Sequence, residues 1–135
     1  AELSDPARQA EVQASAAYKQ GLRYKEGLEV AKRNLKTVSD AGVLIAMGTD
    51  TGPAGRWQGF FEHLELEMMV ESGLTPMQTI VAATSAAAAC HGKAGQFGSI
   101  QPGASADLLV LNANPLDNIR NTREIKSIWI AGRRQ

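Results

Sequence analysis

Residues 45–52 read IAMGTDTG, and this stretch gives the clearest indication of the fold. A continuous apolar run, VLIAM at residues 43–47, ends shortly before an acidic residue, Asp50, with a glycine two positions away on either side. A short apolar run that follows a helix and a glycine turn is typical of a strand buried on both faces of a parallel sheet. We therefore expect a strand at residues 43–47 with Asp50 at its carboxyl end.

The composition bears on the partners and location of the chain. Among its 135 residues, 14 basic and 14 acidic residues cancel, so no net charge attracts it to nucleic acid or an anionic membrane. The single cysteine, Cys90, cannot form an intramolecular disulfide, which slightly favours a reducing, cytoplasmic compartment. A secreted or periplasmic location stays open, because the chain starts without methionine and is expected to be a processed form or a fragment.

Residues 6–40 are predicted to form one long helix. Asp5 can cap its first turn, Pro6 suits the first helical position, and Gly42 can end it. Small or apolar residues recur at alternating spacings of four and three, which places them on one face. This stripe comprises Ala10, Ala14, Ala17, Gly21, Tyr24, Leu28, Ala31, Leu35 and Val38. Its alanines and its glycine favour close packing of this face on a partner surface. The weaker alternative is that this face pairs with a second copy of the helix in a coiled-coil dimer.

Two more helices are predicted after the apolar run. Residues 59–72 form the first, closed by Gly73, and residues 76–91 form an alanine-rich second helix capped by Thr75. Cys90 lies in this alanine-rich helix and is expected to be a core residue.

The composition changes at Gly92, and the rest of the chain is predicted to be β-structure. Spaced glycines separate short apolar runs, and turns are expected at residues 101–103 and 112–115. Three short strands in this tail, like the single strand at residues 43–47, would leave backbone groups without partners. The sequence therefore predicts two sheets that strands from outside this chain complete.

Asp50 is the leading candidate for chemistry. In α/β barrels the carboxyl ends of the strands face the active site. A carboxylate there can bind a metal through one oxygen and take a proton from metal-bound water with the other. The alternative is that Asp50 is an ordinary turn or capping residue, since aspartate is common in turns.

Other candidate residues carry weaker signals. His63 and Glu67 are one helical turn apart and could meet on one face, although a solvated acidic face is the commoner outcome. Arg56 and Trp57 lie in the loop after Asp50 and could line a substrate pocket or cover the mouth of the barrel. His91 is interpreted as a helix-end residue. With only two histidines, the chain by itself does not supply the roughly three protein ligands of a catalytic zinc.

Four segments together resemble the amidohydrolase superfamily. They are AGVLIAMGTDTG, HLELEMMVESGLTPMQTIVAATSAAAA, GSIQPGASADLLVLNANPLDNI and IKSIWIAG. The resemblance covers roughly residues 30–132 and is greatest to the imidazolonepropionase-like and Xaa-Pro dipeptidase-like metal-dependent hydrolases. It implies an α/β fold, a (β/α)8 TIM-type barrel flanked by a small β-sandwich. Residues 1–91 then form the end of the barrel, namely a helix, the eighth strand and two helices, and residues 92–135 supply C-terminal strands of the sandwich.

The resemblance also implies a function. Asp50 matches the family's aspartate at the end of the eighth strand, which binds metal and carries the proton during attack by water. His63, Arg56 and Trp57 are then candidates for substrate binding. One or two divalent ions, zinc foremost, would be held mostly by residues outside this segment.

The expected reaction is hydrolysis of an amide, peptide or cyclic amide bond in a small molecule or peptide. The isolated segment is expected to be inactive without the remainder of the barrel, and the whole protein is expected to be a homo-oligomer. The alternative is a non-catalytic α+β interaction domain that completes its sheets by self-assembly.

Overall fold

A computed structural model gives the fold of the chain. It describes Pro6, Ala10, Gln13, Ala14 and residues 16–52 and 57–135. The helices are α1 (Ala16–Asp40), α2 (Phe60–Glu71), α3 (Pro76–Val81) and α4 (Ala87–Cys90), with a π-helical segment at Ala82–Ala86 and a 3-10 turn at Ile119–Arg123. The strands are β1 (Leu108–Leu111), β2 (Ile125–Ile130) and β3 (Arg133–Arg134).

The chain divides into two compact units, Ala1–Asn34 and Leu35–Gln135. In the first unit the described residues are helical, which confirms the predicted long helix over the part that can be compared. The proposed cap Asp5 lies outside the described residues. Every site and cavity discussed below belongs to the second unit. The predicted boundary between residues 91 and 92 stays a prediction.

The two longer helices end as predicted. The amide of Gly42 bonds the Ser39 carbonyl and the next amide, that of Val43, bonds the Val38 carbonyl, which is the hydrogen-bond pattern of a Schellman motif. Gly73 ends α2 with the same two hydrogen bonds, from the Gly73 amide to the Val70 carbonyl and from the Leu74 amide to the Met69 carbonyl. The φ angles of Gly42 and Gly73, 77° and 100°, lie in the left-handed region that favours glycine.

The predicted start of α3 is also confirmed. Thr75 is the N-cap, and its hydroxyl accepts a hydrogen bond from the backbone N–H of Gln78 at 3.2 Å. The Gln78 side chain in turn accepts from the backbone N–H of Thr75 at 2.8 Å, and Pro76 occupies the first turn. This reciprocal capping box satisfies donors that the helix leaves without partners.

The predicted continuous helix at residues 76–91 is interrupted by the π-helical segment. Within it, the Thr84 hydroxyl donates to the Ile80 carbonyl at 2.7 Å. Gly98 lies directly against this segment, because a Cβ atom added there would be only 2.5 Å from the Thr84 carbonyl oxygen. An alanine-rich sequence favours an uninterrupted α-helix, so nothing in the local composition indicates this irregularity.

The predicted strand at residues 43–47 is wrong for the structure of this chain. The segment is in no strand, and Val43 and Leu44 are both exposed, at 56% and 66%, while Ile45 and Met47 are partly buried. Ile45 and Met47 pack against the core cluster of Met69, Leu74 and Ala82. The physical reason is that a strand needs a hydrogen-bonded neighbour, and among the described residues none pairs with this segment in a ladder.

The β-rich tail is confirmed as a three-stranded antiparallel sheet in the order β1-β2-β3. Leu109 pairs with Ile128, and the register shifts between Val110 and Leu111. The expected turn at residues 101–103 is present, since the Ala104 amide bonds the Gln101 carbonyl at 3.2 Å. Most large aliphatic side chains of β1 and β2 are partly exposed, so this sheet covers little of its own apolar surface.

Over the residues that the structure describes, no helix combines the length and the apolar character needed to cross a bilayer.

Candidate functional site

Asp50 follows the segment anchored on the core. The backbone N–H of Met47 donates to the Ala82 carbonyl at 3.0 Å, and this bond fixes the segment three residues before Asp50. Asp50 itself is exposed and has a φ angle of 51°, one of the two non-glycine residues with positive φ in the described part of the chain. Residues in this sparsely populated region cluster at active sites and ligand-binding turns.

Thr51 and Glu62 connect the Asp50 turn to α2. The Thr51 hydroxyl donates to a carboxylate oxygen of Glu62 at 2.7 Å, and the Gly59 backbone N–H donates to the other oxygen. The hydrogen bond from Thr51, the largest cause, lowers the pKa of Glu62 from its ordinary value. The turn that carries Asp50 is therefore held against the first turn of α2.

His63, the next residue of α2, bonds to a part of the chain 59 positions later. Its Nδ1 lies 2.9 Å from the Thr122 hydroxyl oxygen. Burial, the largest cause, and then the positive charge of Arg123 lower the pKa of His63. The imidazole is therefore neutral at pH 7.

Glu67, one turn further along α2, binds two arginines of the 3-10 turn. Its carboxylate oxygens accept from Arg120 Nε at 2.9 Å and from Arg123 Nε at 2.9 Å. Burial raises the pKa of Glu67, but the hydrogen bonds from the two arginines outweigh it and leave the pKa below its ordinary value. The Arg123 guanidinium also lies 5.1 Å from the centre of the Phe60 ring. We call α2 together with the 3-10 turn Ile119–Arg123 the His63 region.

A cavity of about 450 Å³ lies beside the His63 region. Its polar wall includes His63 and Thr122, and its apolar wall includes Leu66, Ile80 and Leu108. Asp50 does not line this cavity. The predicted site residues Asp50 and His63 therefore do not converge on one cavity in this chain.

The described residues do not make a metal site by themselves. Over residues 16–52 and 57–135, no cluster of three or more histidines, cysteines or acidic residues could hold an ion. The hypothetical pair of His63 and Glu67 does not form a metal site here, because the Glu67 carboxylate is bound by Arg120 and Arg123. Asp50 offers a carboxylate, a donor that suits zinc, but a zinc ion needs further ligands.

The remaining predicted residues have different outcomes. Trp57 is 69% exposed, and its ring centre lies 6.3 Å from that of Phe61. Arg56 lies outside the described residues. His91 is exposed just after the last turn of α4. Cys90, predicted to be a core residue, is exposed, and that prediction is wrong because the end of the helix is open to solvent.

Residues 11–134 match the model of a protein family described as the Amidohydrolase family. The chain belongs to the amidohydrolase family. This match confirms the resemblance that the four sequence segments carry.

Individual amidohydrolases show the same similarity. The chain is 40% identical to an ochratoxinase from Aspergillus niger over 98 residues, which are 69% of this chain and 19% of that protein. It is 36% identical to an imidazolonepropionase from Geobacillus kaustophilus over 73 residues, or 54% of this chain and 17% of that protein. The structure of a Xaa-Pro dipeptidase with bound methionine in its active site aligns with a TM-score of 0.70 at 29% identity. That alignment covers 77% of this chain and 25% of the dipeptidase.

The chain therefore spans between about a sixth and a quarter of the length of these relatives. Its helices and small antiparallel sheet follow those of amidohydrolases, which are TIM-barrel proteins. Which portion of the barrel the chain represents stays a prediction.

Proposed function

We propose that this chain contributes to the active site of an amidohydrolase that hydrolyses an amide, peptide or cyclic amide C–N bond. The observation that carries the proposal is the family match over residues 11–134, which includes the Asp50 turn. The names of the relatives agree with this reaction class, since a Xaa-Pro dipeptidase cleaves a peptide bond. The substrate would be a small molecule or a peptide.

Asp50 is the proposed catalytic residue. Its carboxylate would accept a proton from the attacking water, and the positive φ angle and exposure of Asp50 suit a side chain held toward a ligand. One or two divalent ions, zinc foremost, would supply water with a pKa near neutrality, with an Asp50 oxygen as one of their ligands.

The other parts of the site would come from outside the described residues. The hydroxyl of Thr49, beside Asp50, is buried and has no hydrogen-bond partner in the described part of the chain. Buried polar groups without a hydrogen-bond partner are rare in complete folded proteins. The Thr49 hydroxyl therefore suits a site that further segments complete. In this proposal residues 1–91 form the end of a barrel, residues 92–135 supply sandwich strands, and the whole protein is a homo-oligomer.

Three residues are proposed to contact the substrate. Trp57 offers exposed aromatic surface between the Asp50 turn and α2. Arg56, its neighbour in the sequence, could bind an anionic substituent. His63 offers a neutral ring next to the cavity.

The test is Asp50→Asn in the full protein, assayed with Xaa-Pro dipeptides and N-acyl amino acids. We expect kcat to fall by roughly 10²- to 10⁴-fold, because a general base is lost while the side chain keeps its shape. The matched control is Asp117→Asn, an exposed aspartate in a turn, which should leave kcat unchanged. Unchanged turnover in the Asp50 variant would exclude Asp50 as the base.

A second candidate function is a non-catalytic domain that completes its sheet by self-assembly. The observation that favours it is the exposure of paired aliphatic residues, with Leu109 at 46% and Ile128 at 42%. Under this alternative, Leu109→Lys would dissociate the assembly in light scattering, and Asp50→Asn would change neither assembly nor stability.

A further inference from the structure

The hydrogen bonds around Thr122 fix the tautomer of His63. The Thr122 hydroxyl donates its only proton to the Ile119 carbonyl, at 2.9 Å. The same oxygen lies 2.9 Å from His63 Nδ1, so it must accept there, and Nδ1 must carry a proton. In a neutral imidazole the other nitrogen, Nε2, then has a free lone pair. His63 can therefore offer a ligand one hydrogen-bond acceptor.

Burial of the His63 ring is the main reason why it stays neutral. Burial, the largest cause, and then the positive charge of Arg123 lower the pKa of His63, while Glu62 and Glu67 act in the opposite direction. Arg123 is held in place by Glu67, with Nη2 2.8 Å from a carboxylate oxygen. The bond to Glu67 fixes the position of the Arg123 guanidinium near the ring, and with the burial of His63 it leaves Nε2 an acceptor rather than a donor at neutral pH.

The cavity beside His63 has the size and lining of a small-molecule site. Its volume of about 450 Å³ falls within the range of roughly 300–1,000 Å³ usual for ligand pockets. Its walls are mainly aliphatic, with contributions from Leu66, Ile80, Ala83, Leu108, Leu109 and Pro115. Polar groups come from His63, Thr122, Thr84, Ser99, Ser105 and Asp107. The Thr122 hydroxyl already takes part in two hydrogen bonds, and one Asp107 oxygen accepts from the Ala131 backbone N–H.

We infer that this cavity binds a small, mainly apolar molecule whose single N–H or O–H group donates to Nε2 of His63. The aliphatic walls take the apolar body, and the fixed acceptor selects ligands with a donor over ligands that carry only acceptors. The inference concerns binding at His63 and does not depend on hydrolysis at Asp50, which does not line this cavity.

The test uses two probes of nearly equal shape. 2-Naphthol has one O–H donor, and 2-methoxynaphthalene has none. Calorimetric titration of the full protein should show saturable binding of 2-naphthol about tenfold tighter than that of 2-methoxynaphthalene, the usual size of one hydrogen bond. His63→Phe should remove this preference.

Two further variants separate the cavity from other sites. Ala83→Leu adds volume to the cavity wall and should weaken the binding of both probes, and Ala89→Leu on the exposed side of α4 should weaken the binding of neither.

The Asp50→Asn variant should bind 2-naphthol with the same affinity as the natural sequence, whether or not it retains turnover. Failure of the proposed function is thereby distinguished from failure of this inference.

Several results would overturn the inference. These are the absence of saturable binding, equal affinity for the two probes, unchanged binding in Ala83→Leu, or a structure of the full protein in which another segment fills the cavity. Nitrogen-15 NMR gives an independent check that needs no ligand. A neutral His63 protonated on Nδ1 is expected, and a proton on Nε2 would overturn the inference.

Discussion

The Asp50 turn and the His63 region differ in how their residues are held. The Asp50 turn lies within the IAMGTDTG stretch at residues 45–52, and Thr51, next to Asp50, bonds Glu62 only 11 positions later. In the His63 region, side chains of α2 bond to residues 53 to 59 positions later in the chain. A candidate catalytic residue can therefore be recognised from its sequence neighbours, whereas the hydrogen-bond network beside the cavity cannot.

The two regions should also respond differently to substitution. Asp50 is exposed and has a strained backbone angle, so its replacement should affect activity more than stability. Glu67 is only 11% exposed and joins a helix to a distant turn, so its replacement should affect stability first.

The largest stability effect is expected for Glu67→Ala. The change leaves two guanidinium groups without their carboxylate, and we expect the free energy of unfolding of the full protein to fall by about 2 kcal/mol. This figure allows for the 68% exposure of Arg120, whose contribution is weakened by solvent. Urea denaturation measures it.

Glu65→Ala is the matched control on the same helix. It should change the free energy of unfolding by less than about 0.5 kcal/mol, as substitutions away from such networks usually do. Equal effects of the two substitutions would show that the bonds from α2 to the 3-10 turn add nothing specific to stability.

A smaller, pH-dependent effect is expected for His63→Gln. The folded pKa of His63 lies below its unfolded value of 6.5, so the unfolded chain takes up the proton first as the pH falls. The stability that His63 contributes is present above about pH 6.5 and is lost as the pH falls through 6.5 toward the folded pKa. Urea midpoints between about pH 7.5 and 5.5 should decline for the natural sequence, and this decline should be smaller in His63→Gln.

His91→Gln provides the comparison variant, since His91 is the other histidine of the chain. It should keep the pH dependence that His63 causes. If His63→Gln and the natural sequence show the same decline, burial of the His63 ring does not govern its protonation.

The parts of the fold predicted correctly depend on local chemistry. Gly42 and Gly73 end helices because their backbone angles suit glycine, and Thr75 caps α3 through a residue three positions away. The strand at residues 43–47 was predicted wrongly, because a strand depends on a neighbour that a single segment cannot reveal. The π-helical segment has no local signal of this kind.

The candidate site was predicted only in part for the same reason. Asp50 stands out from its neighbours in the sequence, and His63 was singled out as a histidine near the site. Thr122, which sets the tautomer of His63, and Arg123, which adds to the effect of burial on its pKa, were missed because they lie in a turn 59 and 60 positions away. The only available signal was the polar and basic composition of that turn, which is common in surface loops.

We propose that Asp50 belongs to a metal-dependent hydrolytic site that segments outside these 135 residues complete. Anomalous X-ray diffraction from crystals of the full protein, grown with zinc, tests this claim. We expect an anomalous peak at about 2.0–2.2 Å from an Asp50 carboxylate oxygen, with the other ligands contributed from outside these 135 residues. A fully occupied metal site elsewhere, with no anomalous peak at Asp50, would contradict the claim.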